Sequence, residues 1–332
     1  MIREGRKFWK KGVSVIVCCY NSAARIRETL SALARQEFRV MMDWEIILVD
    51  NASTDHTASL ALSIWEQLQT GVDLRIVYER EPGLGNARNA GIREAAYSVA
   101  LFCDDDNWLA PGYVEGVFRI LEEDISIAAC GGRGIPVFET GKPGWFDEYE
   151  EVFAVGSQEI NEEGGRLLNL YGAGLAVRIE ALERLHLSGF MALMRGRTGS
   201  QLSSSEDTEL TYAFVLMGYR LHYAHHLTFF HYLPAARLNL RYVKRIFSAF
   251  GTDGPVRNLY YAHISDRWFH RRIGNWVYHL GLSMFRLFKY FVAPPKKGGR
   301  MIYLRWNIAY IRQLIALRGE YRQIVQNISN IS

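Results

Sequence analysis

The stretch VALFCDDDN, residues 99–107, joins an apolar run at Val99–Cys103 to three consecutive aspartates, Asp104, Asp105 and Asp106. The run is short and continuous, as expected for a strand that is buried on both faces of a parallel sheet. Three neighbouring carboxylates repel one another, so they cost stability unless a cation or hydrogen-bond donors offset their charge. Because alternate residues of an extended chain point the same way, Asp104 and Asp106 are expected to share one face.

The residues before this stretch alternate between strand and helix patterns. Apolar runs at Val13–Cys18, Glu45–Val49 and Leu74–Tyr78 predict three more buried strands. Between the runs, apolar residues recur at helical spacing, and residues 86–96 predict a helix before the fourth strand. The repetition predicts an α/β fold with a Rossmann-like, mostly parallel sheet flanked by helices. Ligands of such sheets bind at the carboxyl ends of the strands, where the aspartates lie.

Composition excludes several classes of protein. The chain has 332 residues, of which 49% are hydrophobic and 22% charged, so a disordered or collagen-like chain is excluded. The four cysteines lack paired metal-ligand spacing and lie in apolar runs, which predicts buried thiols in a reducing compartment. Residues 1–12 are basic, but no long apolar stretch follows, so we predict an N-terminal extension and no secretory signal.

Two strand ends carry candidate ligand-binding residues. The oxygen donors of the aspartate triplet favour Mg²⁺ or Mn²⁺ held together with substrate phosphates, and the alternative is a solvated acidic turn. Asp50 and Asn51 follow the second strand, and Ser53, Thr54 and Asp55 after them suit helix capping. Capping does not explain Asp50, whose carboxylate can accept hydrogen bonds from a nucleobase or a ribose.

Three further positions could carry chemistry. Arg88 lies in GLGNARN, residues 83–89, where it replaces the third glycine of a dinucleotide fingerprint, so that motif is not predicted. At a helix start Arg88 can meet a phosphate, or it can be a surface arginine. Glu206 and Asp207 begin a predicted helix, where the helix dipole alone favours carboxylates, although either could act as a general base. His231 follows an apolar run and, taken alone, fits a core or loop histidine better than a ligand.

In this order, the motifs resemble those of the family 2 glycosyltransferases, inverting enzymes of the GT-A fold, over residues 13–234. The resemblance rests on a series of short segments, which are VSVIVCCYN (13–21), VDNASTD (49–55), GLGNARNAG (83–91), DDDN (104–107), YGAGLAVR (171–178) and EDTEL (206–210). Asn51 departs from the second aspartate common in the family's nucleoside-binding turn, so the sequence does not separate uracil from thymine donors.

The resemblance implies a role for each candidate residue. Contacts to the nucleotide sugar are implied for Tyr20, Asp50, Asn51, Arg88, Asp104 and Asp105. Asp106, with Asp104 and His231, is implied to hold Mg²⁺ or Mn²⁺ at the diphosphate. Asp207 is implied to be the catalytic base, with Glu206 as its supporting neighbour.

The function implied is metal-dependent, inverting transfer of a sugar from a nucleoside-diphosphate donor, with UDP-sugars favoured, to a hydroxyl acceptor. A glycan or lipid-linked acceptor would place the protein in cell-surface polysaccharide or glycolipid synthesis. Two alternatives come from other classes: a nucleotidyltransferase, and a nucleotide-sugar sensor or inactive scaffold. The first would be expected to have a glycine-rich, basic loop after the first strand, which Cys18–Ser22 lacks. The second would be expected to have lost the base or a metal ligand.

The charge is unevenly distributed along the chain. Residues 235–332 hold 17 Lys+Arg against 3 Asp+Glu, an excess of 14 positive charges, whereas residues 1–234 hold 22 against 32, an excess of 10 negative charges. This divides the chain into a catalytic domain, 13–234, and a basic, aromatic-rich helical region, 235–332. Within the catalytic domain, residues 13–110 are predicted to bind the nucleotide and residues 111–234 the acceptor.

The basic region predicts an anionic partner. Trp276, Leu280, Met284 and Phe288 recur at every fourth position, and charged residues interrupt any run long enough to span a bilayer. We therefore expect a cytoplasmic protein whose tail lies on the inner face of the cell membrane. The alternatives are packing of the tail on the catalytic domain or in a homodimer. No nucleic-acid-binding motif is present, so nucleic acid is not the expected partner.

Overall fold

The computed structural model describes residues 9–159, 162–163, 166–194, 205–265, 276–293 and 299–331. The strands and helices expected in the first hundred residues are confirmed. They are β1 (Lys10–Cys19), α1 (Ile26–Ala34), β2 (Trp44–Asn51), α2 (Thr57–Leu68), β3 (Leu74–Glu79), α3 (Leu84–Glu94) and β4 (Tyr97–Asp104). Helix α3 lies close on the sheet because Gly91 has no side chain: a Cβ there would stand 2.3 Å from Cγ2 of Ile16.

The next part of the chain is less regular. Its elements are β5 (Asn107–Leu109), α4 (Tyr113–Glu123), β6 (Ile127–Phe138), β7 (Glu162–Glu163), β8 (Arg166–Leu167), β9 (Ala176–Arg178), α5 (Ile179–Leu187), α6 (Glu206–Leu216) and β10 (Arg220–Leu233). The segment YGAGLAVR, residues 171–178, has the small residues of a strand closely approached by its neighbours, yet its extended part begins only at Ala176. Gly174 adopts a left-handed conformation, with φ of 66°, and turns the chain before that point.

Eight of these strands form one sheet in the order β3-β2-β1-β4-β9-β6-β10-β5. Strands β3, β2, β1 and β4 run parallel to one another, and β6 and β10 are also parallel. Strand β9 runs antiparallel between β4 and β6, and β5 runs antiparallel to β10. The register places Cys19 opposite Asp50 and Cys18 opposite Asp104. The carboxyl ends of β1, β2 and β4 therefore meet at one edge of a mostly parallel sheet, as predicted.

The C-terminal region is helical where the structure describes it. A 3-10 turn (Ala235–Arg237) leads into α7 (Leu240–Ile264), α8 (Trp276–Val292), α9 (Gly299–Ala316) and α10 (Tyr321–Ser329). Helix α7 is bonded to the start of α6: Tyr260 donates to Oε1 of Glu209 at 2.9 Å, and Ser205 donates to Oδ2 of Asp253 at 2.7 Å. Helix α9 packs closely on α7. This region is therefore attached to the sheet domain through buried polar contacts.

The four apolar residues that recur at every fourth position of α8, from Trp276 to Phe288, do not share one face of the helix. Trp276 and Leu280 pack against the core, whereas Met284 and Phe288 are exposed. The reason is geometric: residues spaced by four advance more than one full turn of about 3.6 residues, so the stripe drifts around the helix. Over the described ranges, no helix combines the length and the apolar character needed to cross a bilayer. All four cysteines are free and buried, as expected.

Candidate active site

A cavity of about 690 Å³ opens at the carboxyl edge of the sheet. Most of the candidate residues line it, together with side chains of α6, β10, α7 and α9. Six carboxylates and four arginines face it, a formal balance of −2; they are Asp104, Asp105, Asp106, Glu151, Glu206, Asp207, Arg25, Arg88, Arg237 and Arg257. A dianionic ligand entering this cavity therefore needs additional positive charge.

Each carboxylate of the aspartate triplet faces a different arginine. Nη2 of Arg88 lies 4.0 Å from Oδ1 of Asp104, and Nη1 of Arg237 donates to Oδ2 of Asp106 at 2.9 Å. Asp105 accepts hydrogen bonds from Arg25 and from the hydroxyl of Ser22. The repulsion expected from three adjacent carboxylates is thus offset within the protein itself.

Asp105 has a structural role, because both its side chain and its backbone carbonyl are hydrogen-bonded within the protein. Its side chain joins β4 to α1, and its backbone carbonyl accepts a hydrogen bond from Thr29 at 2.8 Å. Burial raises the pKa of Asp105 to about 6, helped by the negative charge of Asp106 and opposed by Arg25. All three aspartates line the cavity. The extended conformation expected for the triplet ends at Asp104, because Asp105 and Asp106 lie in a turn after β4.

Asp106 meets His231 as well as Arg237. Oδ1 of Asp106 lies 3.5 Å from Nε2 of His231, and both side chains are buried at the cavity wall. The described residues contain no cluster of three or more His, Cys, Asp or Glu side chains that could hold a cation alone. Mg²⁺ commonly takes only one or two carboxylates and completes its shell with substrate phosphates. The donor set of Asp106 and His231 fits such a shared ion.

Arg88 is a buried residue and not a surface arginine. Its Nη1 donates to Oε1 of Glu206 at 3.1 Å, and its guanidinium stacks 4.9 Å from the ring centre of Phe102. Its side chain is only 9% exposed. Since it also approaches Asp104, this one guanidinium connects the aspartate triplet of β4 with the first turn of α6.

Asp207 lies one residue further along α6 and faces the same cavity. Its Oδ2 accepts a hydrogen bond from the backbone N–H of Gly172 at 2.6 Å, and its Oδ1 accepts one from the N–H of Thr208 at 2.8 Å. The turn before β9 therefore brings Gly172 to the base candidate, a contact that a longer strand would not make. Burial raises the pKa of Asp207, and the positive charge of Arg88 opposes the shift.

Tyr20, Asp50 and Asn51, for which the resemblance implies contacts to the nucleotide, have different surroundings in the structure. Asp50 is buried and accepts the N–H of Ser53 at 3.1 Å; it is not among the cavity-lining residues. Asn51 lines the cavity, and its amide holds the loop after β3 through Gly83 and two carbonyls. Tyr20 is more than half exposed at the cavity wall.

Sequence reasoning missed the contribution of the C-terminal region to this cavity. Its residues there are Arg237, Tyr242, Phe247, Phe250, Arg257 and Trp306. The one available signal was Arg237, a basic residue six positions after His231, but the domain boundary drawn at residue 234 placed it outside the site. Arg25 was also missed, since its partner Asp105 lies 80 residues away.

Comparison with known proteins agrees with this geometry. Residues 14–186, just over half of the chain, match the sequence model of the family described as glycosyl transferase family 2. The chain belongs to this family. Proteins of similar sequence include the poly(ribitol-phosphate) beta-N-acetylglucosaminyltransferase TarS of Staphylococcus aureus, 30% identical over 131 residues, and the uncharacterized glycosyltransferase YwdF of Bacillus subtilis, 32% identical over 110 residues.

These alignments cover 37% and 33% of this chain, and 22% of TarS and 38% of YwdF. The chain thus matches well under half the length of these curated relatives. Among solved structures, the mannosyltransferase PcManGT of Pyrobaculum calidifontis, in complex with GDP-Man and Mn²⁺, aligns with 98% of this chain and 88% of its own. Its TM-score is 0.51 at 17% identity, a likeness of fold. The fold of this family 2 chain is GT-A, with a helical C-terminal extension.

Proposed function

We propose that this protein is a metal-dependent, inverting glycosyltransferase that moves a sugar from a nucleoside-diphosphate donor to a hydroxyl acceptor. The observation that carries the proposal is Arg88, which connects Asp104 on the donor side with Glu206, the neighbour of Asp207, inside one cavity. We assign residues 13–110 to the donor and 111–234 to the acceptor, with one cavity wall supplied by residues 235–332.

Asp207 acts as the base in this proposal. It removes the proton of the acceptor hydroxyl, and that oxygen attacks the anomeric carbon from the face opposite the diphosphate. Burial raises the pKa of Asp207, so its carboxylate is a better proton acceptor than an exposed aspartate. The N–H groups of Gly172 and Thr208 fix its two oxygens, and Glu206 holds Arg88 beside it. Inversion requires one base and no nucleophilic carboxylate.

Asp106 and His231 would hold Mg²⁺ or Mn²⁺. When bound, the ion supplies positive charge to the departing diphosphate. The net negative balance of the cavity supports this requirement, because the arginines present do not neutralise both the carboxylates and a dianionic donor. Tyr20 and Asn51 line the end of the cavity assigned to the nucleoside, and a UDP-sugar is the donor we test first.

The acceptor is proposed to be a glycan or a lipid-linked glycan of the cell surface. Support comes from the name of the relative TarS, which acts on a poly(ribitol-phosphate) polymer. It also comes from the aromatic wall of the cavity, because aromatic faces suit the apolar faces of sugar rings. The wall is formed in part by Tyr171, Tyr242, Phe250 and Trp306.

A hydrolysis panel tests the proposal. UDP-, GDP- and dTDP-sugars are incubated with Mn²⁺, and the nucleoside diphosphate that is released is measured for the wild type and for Asp207→Asn. Slow release from one donor by the wild type, reduced in the variant, supports a transferase. Tight nucleotide binding without release from any donor would instead indicate a sensor or scaffold, and release of pyrophosphate from a nucleoside triphosphate would indicate a nucleotidyltransferase.

We also propose that the tail binds the inner face of the cell membrane, through exposed residues of α8 and α9. Helix α8 exposes Val277, Met284, Phe285, Phe288, Phe291 and Val292. Helix α9 alternates apolar and basic residues on its exposed face, namely Met301, Arg305, Ile308, Arg312 and Ile315. No Asp or Glu occurs from residue 267 to 319, so the charge around these side chains is basic. Apolar side chains among Lys and Arg fit an anionic lipid surface.

Co-sedimentation with vesicles tests the membrane proposal. We expect the wild type to pellet with phosphatidylglycerol-containing vesicles at low salt and to be released at high salt. Combining Phe285→Ser with Phe288→Ser should abolish pelleting, whereas Ile125→Ser, at a residue 79% exposed on another surface, should not. Wild type that stays in the supernatant at low salt rejects the proposal. If light scattering shows the wild type to be a dimer and the double variant to be a monomer, the exposed face of α8 binds a second copy of the chain.

A further inference from the structure

Arg237 stands at the junction between the sheet and the C-terminal helices. It ends the 3-10 turn Ala235–Arg237, which directly follows β10, the strand that carries His231. Its Nη1 donates to Oδ2 of Asp106, the residue with which His231 is paired. One short segment of chain therefore supplies a histidine and an arginine to the same carboxylate.

The three arginines of the aspartate triplet are held differently. Arg88 is bonded to Glu206 and stacked on Phe102, with a side chain only 9% exposed. Arg25 is bonded to Asp105, which Ser22 also holds. Arg25 and Arg237 are alike in that both lie in turns and line the cavity, with side chains 31% and 25% exposed. They differ in their partners, because Arg237 is bonded to Asp106, the carboxylate that faces His231. Arg237 is therefore the arginine placed to change partner when an ion binds at Asp106.

Entry of a metal-bound donor creates a conflict at Asp106. The carboxylate oxygens that would bind the ion lie beside the guanidinium of Arg237, and two cations at one carboxylate repel each other. The donor brings a diphosphate into the same cavity. Planar guanidinium groups bind phosphate oxygens through paired hydrogen bonds, so the diphosphate is a suitable new partner for Arg237.

We propose that Arg237 is an exchangeable counter-ion of Asp106, which occupies that carboxylate before the donor arrives and transfers to the diphosphate when the metal-bound donor enters. The inference rests on the proposed function, because it takes a nucleoside diphosphate and a divalent ion as ligands. Its consequence is that binding of the ion and binding of the nucleotide are strongly coupled. The ion binds weakly alone because it must displace Arg237, and it binds well together with the nucleotide because the diphosphate accepts Arg237.

Binding measurements on Arg237→Ala test the exchange without any assay of turnover. Mn²⁺ binding is followed by electron paramagnetic resonance with and without UDP, and UDP binding by calorimetry at saturating Mn²⁺. Without nucleotide, the variant should bind Mn²⁺ about tenfold more tightly than the wild type, because Asp106 is released. With Mn²⁺ present, it should bind UDP about tenfold more weakly, because one phosphate partner is lost.

Arg241→Ala is the matched control, since Arg241 is exposed on α7 and does not line the cavity, yet the variant loses the same charge. It should leave both affinities unchanged. Arg237→Gln, which removes the charge but keeps a shorter polar side chain, serves if thermal melting shows Arg237→Ala to be unfolded. Equal Mn²⁺ affinity in the wild type and a folded Arg237 variant overturns the exchange, while UDP binding by the wild type leaves the proposed function intact. Failure of the wild type to bind UDP with Mn²⁺ overturns both.

Discussion

Residues 13–234 and residues 235–332 build the same cavity in different ways. The first contribute the side chains proposed for the chemistry, from the ends of parallel strands and from the first turn of α6. Residues 235–332 contribute side chains from a turn and from α7 and α9, whose positions depend on packing against α6 and β10. We infer from this difference that residues 13–234 set the chemistry and that residues 235–332 set the alignment. Variants in each region should therefore differ in kind.

The largest effect is expected for Asp207→Asn. Removing the base should lower kcat by about a thousandfold, since general-base catalysis contributes roughly 10²- to 10⁴-fold. UDP affinity, measured by calorimetry, should stay within about twofold of wild type because the base acts on the acceptor. Loss of UDP binding together with kcat would show that Asp207 holds the donor and would leave Glu206 as the next candidate for the base.

Asp106→Asn should have the next largest effect. We expect a fall in kcat on the order of a hundredfold, because the departing diphosphate loses a counter-charge that Asn cannot hold in place. The fold should survive, since Arg237 is partly exposed and its charge can turn towards water. Melting temperature and inhibition by EDTA are the measurements. Full activity in the variant, or activity that EDTA leaves untouched, would contradict a metal role for Asp106.

Tyr260→Phe tests the alignment attributed to the C-terminal region. The variant removes one hydrogen bond to Glu209 on the buried side of α6, at a cost of about 1 kcal/mol in the free energy of unfolding. We expect kcat to fall only severalfold, because α6 still carries Asp207 but holds it less firmly. Tyr78→Phe, at a residue 71% exposed, is the matched control. A loss as large as that of Asp207→Asn would remove the distinction between the two regions.

The smallest effect concerns pH. Burial raises the pKa of Glu209 from 4.5 to about 7. Hydrogen bonds from the N–H groups of Leu193 and Met194 and from the hydroxyl of Tyr260 oppose this increase. In the folded protein Glu209 therefore keeps a proton that the unfolded chain has lost between these two pKa values. Its contribution to stability is fully present below pH 4.5 and is lost as the pH rises through about 7.

Glu209→Gln cannot titrate and should lack this dependence. As the pH rises from about 4.5 to about 7, the melting temperature of the wild type should fall relative to that of the variant. A constant difference over that range would show that the charge of Glu209 is stabilised as well in the fold as in water.

The sequence predicted the strands and helices of residues 13–110 because the information for them is local. A buried apolar run and the polar residues that follow it identify both a strand and its ligand-binding end, as for Val99–Cys103 and Asp104. The contact of Arg88 with Glu206 joins residues 118 positions apart, and that of Arg237 with Asp106 joins residues 131 apart. Such pairings depend on how helices pack, and no periodicity or spacing in the chain encodes them.

The basic charge of the tail shows the same limit. The excess of Lys and Arg predicts an anionic partner, but the sequence does not tell which of these side chains face the cavity and which face solvent. Arg237 and Arg257 line the cavity among carboxylates, whereas Arg305 and Arg312 are exposed on α9. The divided stripe of α8 has the same cause, since helical rotation turns Trp276 inward and Phe288 outward.

The pairing of each triplet aspartate with its own arginine has a consequence for how the protein matures in the cell. Zinc-finger domains stay unfolded until their metal arrives, because their ligands have no other partner. Here Arg88, Arg25 and Arg237 neutralise the acidic triplet from within, so the newly made chain can reach its final shape without any ion. Under the metal requirement proposed above, a cell short of manganese or magnesium would accumulate intact but idle protein, ready to work when the supply returns.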